Sequence, residues 1–226
     1  MNLWYQFWWV ILPYTAITIF VVGHIYRYNT DQPGWTTKSS QLLEKKKLRF
    51  GSIFFHLGLL LALGGHLGGL LIPKSWTDAA GISEQLYHQV ALMMGGLAGL
   101  MALAGVLLLV ARRFGDKRIR QNSSLSDQLI ALLLLLQILI GVFNTLGFNF
   151  LIGGFNYREN LSIWLRELFI FSPNPQLMAE VPLTFQLHVL VGLLIFALWS
   201  FTRLVHMWSA PLEYLKRNNI LYRRLS

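Results

Sequence analysis

Six histidines carry the chemistry open to this chain: His24, His56, His66, His88, His188 and His206. His56, His66 and His188 sit inside long apolar runs, and His206 closes one. An ionisable side chain at membrane depth is costly and is by default kept for function. Imidazole is the usual axial ligand of iron in a b-type haem. The chain has no cysteine. That excludes disulfides, thiolate zinc sites, iron–sulfur clusters and covalently attached haem. A redox role would therefore rest on histidine-held haem, with any iron–sulfur cluster on another chain.

The elements that must position these histidines are apolar helices. Of 226 residues, 54% are hydrophobic and 13% charged, against roughly 25% charged in soluble domains. A bilayer core of about 30 Å needs roughly 20 apolar residues at 1.5 Å each. Five stretches meet this, at about 3–26, 49–72, 87–111, 127–152 and 183–208. The expected fold is all-α, an integral membrane bundle of five transmembrane helices forming one membrane domain over 1–226. The first span does not read as a cleaved signal peptide, because its basic residues follow it instead of preceding it.

The net charge of +9 would suggest nucleic acid in a soluble protein, but its distribution does not. Sixteen of the nineteen Lys and Arg fall after spans one, three and five; Lys74, Arg158 and Arg166 alone fall on the other side. Basic loops stay in the cytoplasm. The N-terminus is thus expected outside and the C-terminus inside, with the inner face at +11 and the outer at −2. The expected location is the cytoplasmic membrane, crossed several times, with lipid and no nucleic acid as partner. The basic tail Lys216–Arg224 reads either as a dock for soluble subunits or as an orientation and anionic-lipid signal.

Depth pairs the histidines. Helical rise puts His56 about 9 Å, His66 about 24 Å, His188 about 30 Å and His206 about 3 Å from the inner face. The match is His66 with His188 near the outer side and His56 with His206 near the inner side. Two bis-histidine haems stacked across the membrane follow. The spacings differ, ten residues on span two and eighteen on span five, which leaves about 6 Å per site for tilt and side-chain reach. Eighteen residues also make five whole turns, which would put His188 and His206 on one face.

Gly51, Gly58, Gly64, Gly65, Gly68 and Gly69 interleave with the span-two histidines. They read as positions where a porphyrin lies against the helix, or as sites of close helix packing. His88, with Tyr87, begins span three at the depth of the outer pair and could hydrogen-bond or deprotonate a quinol; the alternative is an interfacial side chain. His24 reads as interfacial. Arg203 could pair with a haem propionate. Arg112 and Arg113 could do the same or mark the inner boundary. Gln137 and Asn144 read as interhelical hydrogen-bonders. Two loops are expected to hold helices. One runs from Thr36 or Ser39 through Leu42 and Leu43. The other, 159–171, carries Leu161, Trp164, Leu165 and Leu168 at helical spacing, and either roofs a site at the outer interface or packs as an ordinary loop helix.

Three stretches carry a family resemblance: RYNTDQPGWTTKSSQLLEKKK at 27–47, the FH…GGH block at 55–66, and FTRLVHMWSAPLEYLKR at 201–217. Through them the chain resembles, along essentially its whole length, the gamma subunit of membrane-bound respiratory nitrate reductase, a di-haem cytochrome b. The resemblance implies that His56 and His206 ligate the inner haem and His66 and His188 the outer one. It implies quinol oxidation near the outer haem; the residues themselves place the expected quinol site between Gly65, His66 and the start of span three, at Tyr87 and His88. It also implies two cytoplasmic partners, an iron–sulfur beta subunit and a molybdenum-containing alpha subunit, with nitrate reduced on the latter. There is one departure. An enterobacterial member of that family carries a lysine where an ungapped alignment from the glycine pair 95–96 gives Tyr87, and His88 stands as the substitute. The competing readings are a di-haem anchor of another quinone-linked complex (sulfite-reduction, formate or hydrogen) and, from another class, a histidine-relay transporter.

Overall fold

Long apolar runs with few charges form helices in lipid, because only a helix satisfies every backbone polar group within one segment. The computed structural model describes residues 3–35 and 42–209. Among these residues there is no strand. Four helices are long and apolar enough to cross a membrane: Leu3–Thr30, Lys46–Leu71, Glu84–Gly115 and Leu125–Ile152, here spans one to four. The shorter apolar helix Leu183–Trp199 is span five. Their outward faces carry unshielded apolar side chains, with Leu60 63% and Met93 74% exposed. Such surfaces suit lipid and not water. The chain is a multi-pass membrane protein.

Polar residues start the spans. Ser83 accepts the Leu86 N–H at the head of span three. Ser124 and Asp127 form a reciprocal capping box at the head of span four. Glu44 accepts the N–H groups of Lys47 and Leu48 at the head of span two. Span two packs most extensively along span three, span three along span four, span four along span five, and span five along span one. The closest of these seams is the first. A Cβ on Gly58 would strike the Ala102 backbone, and one on Gly105 would strike the Phe55 backbone. Spans two and five make no extended contact with each other, so the histidines they carry meet across a gap.

Two expectations change. Span five was expected to run unbroken to 208, but its helix ends at Trp199 and a 3-10 segment, Arg203–Ser209, follows a turn. Thr202 turns its hydroxyl onto the Trp199 carbonyl, and the Trp199 indole onto that of Leu204. Such local bonds compete with helix continuation. The expected helix through Leu42 and Leu43 is replaced there by a turn, and Lys46 already belongs to span two. Its proposed start at Thr36 or Ser39 lies outside the described residues, as does the basic tail Lys216–Arg224.

The outer loop does hold a helix, Leu161–Phe169. Leu161, Trp164 and Leu168 bury themselves with Trp9, Met178 and Val181, and Leu165 packs against the cluster. Ser162 and Arg166 donate to the carbonyls of Gly69 and Leu70, where span two ends. A packed loop helix thus covers the orphan carbonyls of a transmembrane helix.

Candidate haem centres and an outer pocket

The structure brings the four span histidines into two pairs. The rings of His66 and His188 have centroids 6.1 Å apart. Those of His56 and His206 are 6.2 Å apart. Two imidazoles sharing one metal ion, with bonds of about 2 Å and ring centres about 1.1 Å behind each nitrogen, stand ~6.2 Å apart. Both pairs have the spacing of an axial set.

Three of the four rings are oriented by their own helices. Nδ1 of His56 is 2.8 Å from the Ser52 carbonyl, Nδ1 of His66 is 2.7 Å from that of Ala62, and Nδ1 of His206 is 2.6 Å from that of Arg203. A carbonyl only accepts, so Nδ1 carries the hydrogen and Nε2 keeps its lone pair for a metal. Ligating histidines are commonly fixed in this way. His188 differs. The Gln137 amide lies 3.2 Å from its Nε2, and its buried Nδ1 has no hydrogen-bond partner. Its ring fits against Gly141, where a Cβ would stand 2.9 Å from Cε1. Iron at Nε2 would require the Gln137 amide to turn aside. Span four thus supplies an interhelical hydrogen bond from Gln137, as the sequence suggests, but one aimed at the histidine itself. Asn144 makes another, to the Thr184 carbonyl at 3.3 Å.

A cavity of about 570 Å³ opens beside the inner pair, within the range of small-ligand sites. His56 and His206 line it, together with Arg112, Arg113 and Arg203. All three arginines hold carboxylates. Arg112, 4% exposed, meets Glu44 at 2.8 Å. Arg113 and Arg203 both stand 3.8 Å from Asp127. The cavity wall is mainly apolar, with these partly neutralised cations in its lining. At the outer pair, Gly64, Gly65 and Gly68 have no atom within 4 Å of where a Cβ would stand. A side-chain-free strip therefore adjoins His66. Gly51 and Gly58 instead face span three, where they serve close helix packing, and Gly69 faces Tyr157.

A second pocket, about 350 Å³, lies at the outer side and contains Tyr87 and His88. Gly65 and His66 do not line it. The link is Tyr157, whose hydroxyl is 3.4 Å from that of Tyr87 and 2.8 Å from the Cβ position of Gly69, three residues beyond His66. Burial pushes the Tyr157 phenol up, so it keeps its proton. Arg158 is 4% exposed and stacks 3.8 Å over the Tyr87 ring. It also donates to Glu84 at 3.3 Å and to Thr77 at 2.6 Å.

The sequence compares over its whole length with known proteins. The family model for the nitrate reductase gamma subunit matches residues 5–225. The chain is 51% identical to the nitrate reductase gamma chain of Bacillus subtilis, over 98% of this chain and 99% of that one. It is 35% identical to the respiratory nitrate reductase 2 gamma chain of Escherichia coli, over 93% of each. It is 46% identical to the nitrate reductase-like protein NarX of Mycobacterium tuberculosis, over 96% of this chain but 34% of that longer protein. The chain belongs to the nitrate reductase gamma subunit family.

In this gamma-family chain the remaining histidine is structural. His24 donates from Nδ1 to the Phe20 carbonyl at 2.6 Å and accepts from the Trp208 indole at 3.2 Å, so both nitrogens are used. Sequence reasoning missed Tyr157, Arg158 and Glu84. Their signal was faint but present: Arg158 is one of three outer basic residues, and Glu84 stands three before Tyr87.

Proposed function

We propose that this chain is the quinol-oxidising membrane subunit of a respiratory nitrate reductase in the cytoplasmic membrane. It accepts electrons from quinol at the outer side and delivers them inside to an iron–sulfur beta subunit. A molybdenum-containing alpha subunit then reduces nitrate, which this chain does not do itself. The observation that carries the reading is the two imidazole pairs at 6.1 and 6.2 Å, each joining span two to a histidine of span five or of the 3-10 segment that follows it.

Two b haems, one between His66 and His188 and one between His56 and His206, would supply one-electron carriers at two membrane depths. The chain's own residues do the rest. Carbonyls of Ala62, Ser52 and Arg203 hold three Nδ1–H groups and leave the Nε2 lone pairs free for iron. Arg112, Arg113 and Arg203 offer cationic partners for propionates at the inner cavity. At the outer pocket, Tyr87 and Tyr157 hold a quinol oxygen and His88 receives its proton, while Gly65 and His66 lie outside its lining and connect to it through Gly69 and Tyr157. Protons leave outward while electrons move inward. Moving each electron against an interior-negative 100 mV stores about 2.3 kcal/mol, drawn from quinol oxidation.

The test is a reduced-minus-oxidised spectrum with a haem-to-protein ratio on the purified complex, and identification of the subunits that co-purify. Two b haems per chain are expected. His66→Ala or His188→Ala should remove one and stop quinol-driven reduction. Wild-type reduction by quinol in either variant would refute outer entry, and a haem-free protein would favour the histidine relay.

A further inference from the structure

Two of the three distinctive sequence stretches, 27–47 and 201–217, grip each other through residues 27–35 and 201–208. Arg27, at the inner end of span one, donates through Nη1 to the carbonyls of Ser200, at 2.7 Å, and Thr202, at 3.0 Å. Its Nη2 donates to the Gly34 carbonyl at 2.8 Å, and Asp31 lies 3.7 Å from its Nε. Ser200 and Thr202 are where span five stops being a helix. A helix end leaves carbonyls without partners, and the buried ones must be satisfied from elsewhere. Here the partner comes from another span. The contact continues beyond the break. The Trp35 indole donates to the Val205 carbonyl at 2.8 Å, and the Trp208 indole to Nε2 of His24 at 3.2 Å. His206 stands between these two fastenings, its ring tied to Arg203 within the same segment.

We propose that Arg27 is the positioning residue of the inner histidine pair, holding the broken end of span five so that His206 faces His56. The proposal rests on the reading of that pair as an axial set. A planar guanidinium reaches three carbonyls in a fixed fork, which a lysine ammonium on a flexible stem does not reproduce. Trp35 is the second fastening of the same segment.

The test uses the assembled complex in membranes, with haem components resolved by redox titration and low-temperature difference spectra. His206→Ala first identifies the inner component. Arg27→Ala and Trp35→Phe are each expected to shift the midpoint and spectrum of that component, or to remove it, leaving the outer component unchanged. Arg27→Lys should restore only part of the wild-type signal. An unchanged inner component in both Arg27→Ala and Trp35→Phe would overturn the positioning role, as would equal change in both components. Wild-type protein without two haem components, or both surviving in His206→Ala, would sink the axial-pair reading and the positioning role with it.

Discussion

Gly141 on span four stands directly against the ring of His188 on span five, with a built Cβ 2.9 Å from Cε1. Gly141→Val should therefore displace His188 and bring haem content down from two toward one per chain, with the inner component retained. A haem assay on the purified protein checks this. Full occupancy in the variant would show that the ring tolerates a shift.

The span-two and span-three glycines should separate packing from ligand space. Gly105→Ala drives a Cβ into the Phe55 backbone, and over-packing of this kind costs about 1–3 kcal/mol or more. Its melting temperature in detergent should fall. Gly65→Ala meets no protein atom within 4 Å, so its melting in the haem-free state should match wild type. If a porphyrin lies on that strip, haem retention should fall in Gly65→Ala alone.

Tyr157 is kept protonated by burial, so it acts as a donor and not as a base. Tyr157→Phe removes one neutral hydrogen bond, worth about 0.5–1.5 kcal/mol. The KM for quinol should rise about two- to tenfold on that energy, with little change in the pH profile. His88→Ala should act differently, lowering kcat and altering the pH profile, because His88 is read as the proton acceptor. Steady-state kinetics with a soluble quinol separate the two roles.

Glu44 joins the head of span two to span three. The Lys47 N–H, with the Leu48 N–H and Arg112, holds its carboxyl below the ordinary value of 4.5. A depressed carboxylate stabilises the fold above that value, and the contribution fades as pH falls from 4.5 through the lower folded value. Acid should thus loosen the inner end of the span two–span three seam. Glu44→Gln should lower the melting temperature at pH 7 and flatten its decline below pH 4.5. A variant with the wild-type pH dependence would show that the bonds of the Glu44 carboxylate to Lys47, Leu48 and Arg112 contribute nothing measurable.

The sequence determined the features that depend on one dimension. Span positions follow from run length, sidedness follows from where Lys and Arg fall, and histidine pairing follows from depth, since each residue adds a fixed rise. That is why His66 with His188 and His56 with His206 were legible without coordinates. The five-turn relation of His188 to His206 was not sound, because it assumed an unbroken helix. Neither Pro nor Gly marks the break after Trp199. The bond that secures it comes from Arg27, 173 residues before Ser200. Both pairs nevertheless close to about the same ring spacing, 6.1 and 6.2 Å, with His206 carried by the segment after the break and not by the helix. The tertiary structure likewise decided which glycines face a neighbour, which ring Gln137 meets, and that Tyr157 and Arg158 join Tyr87. These depend on rotation about helix axes and on contacts between residues far apart in the chain, which local pattern does not encode.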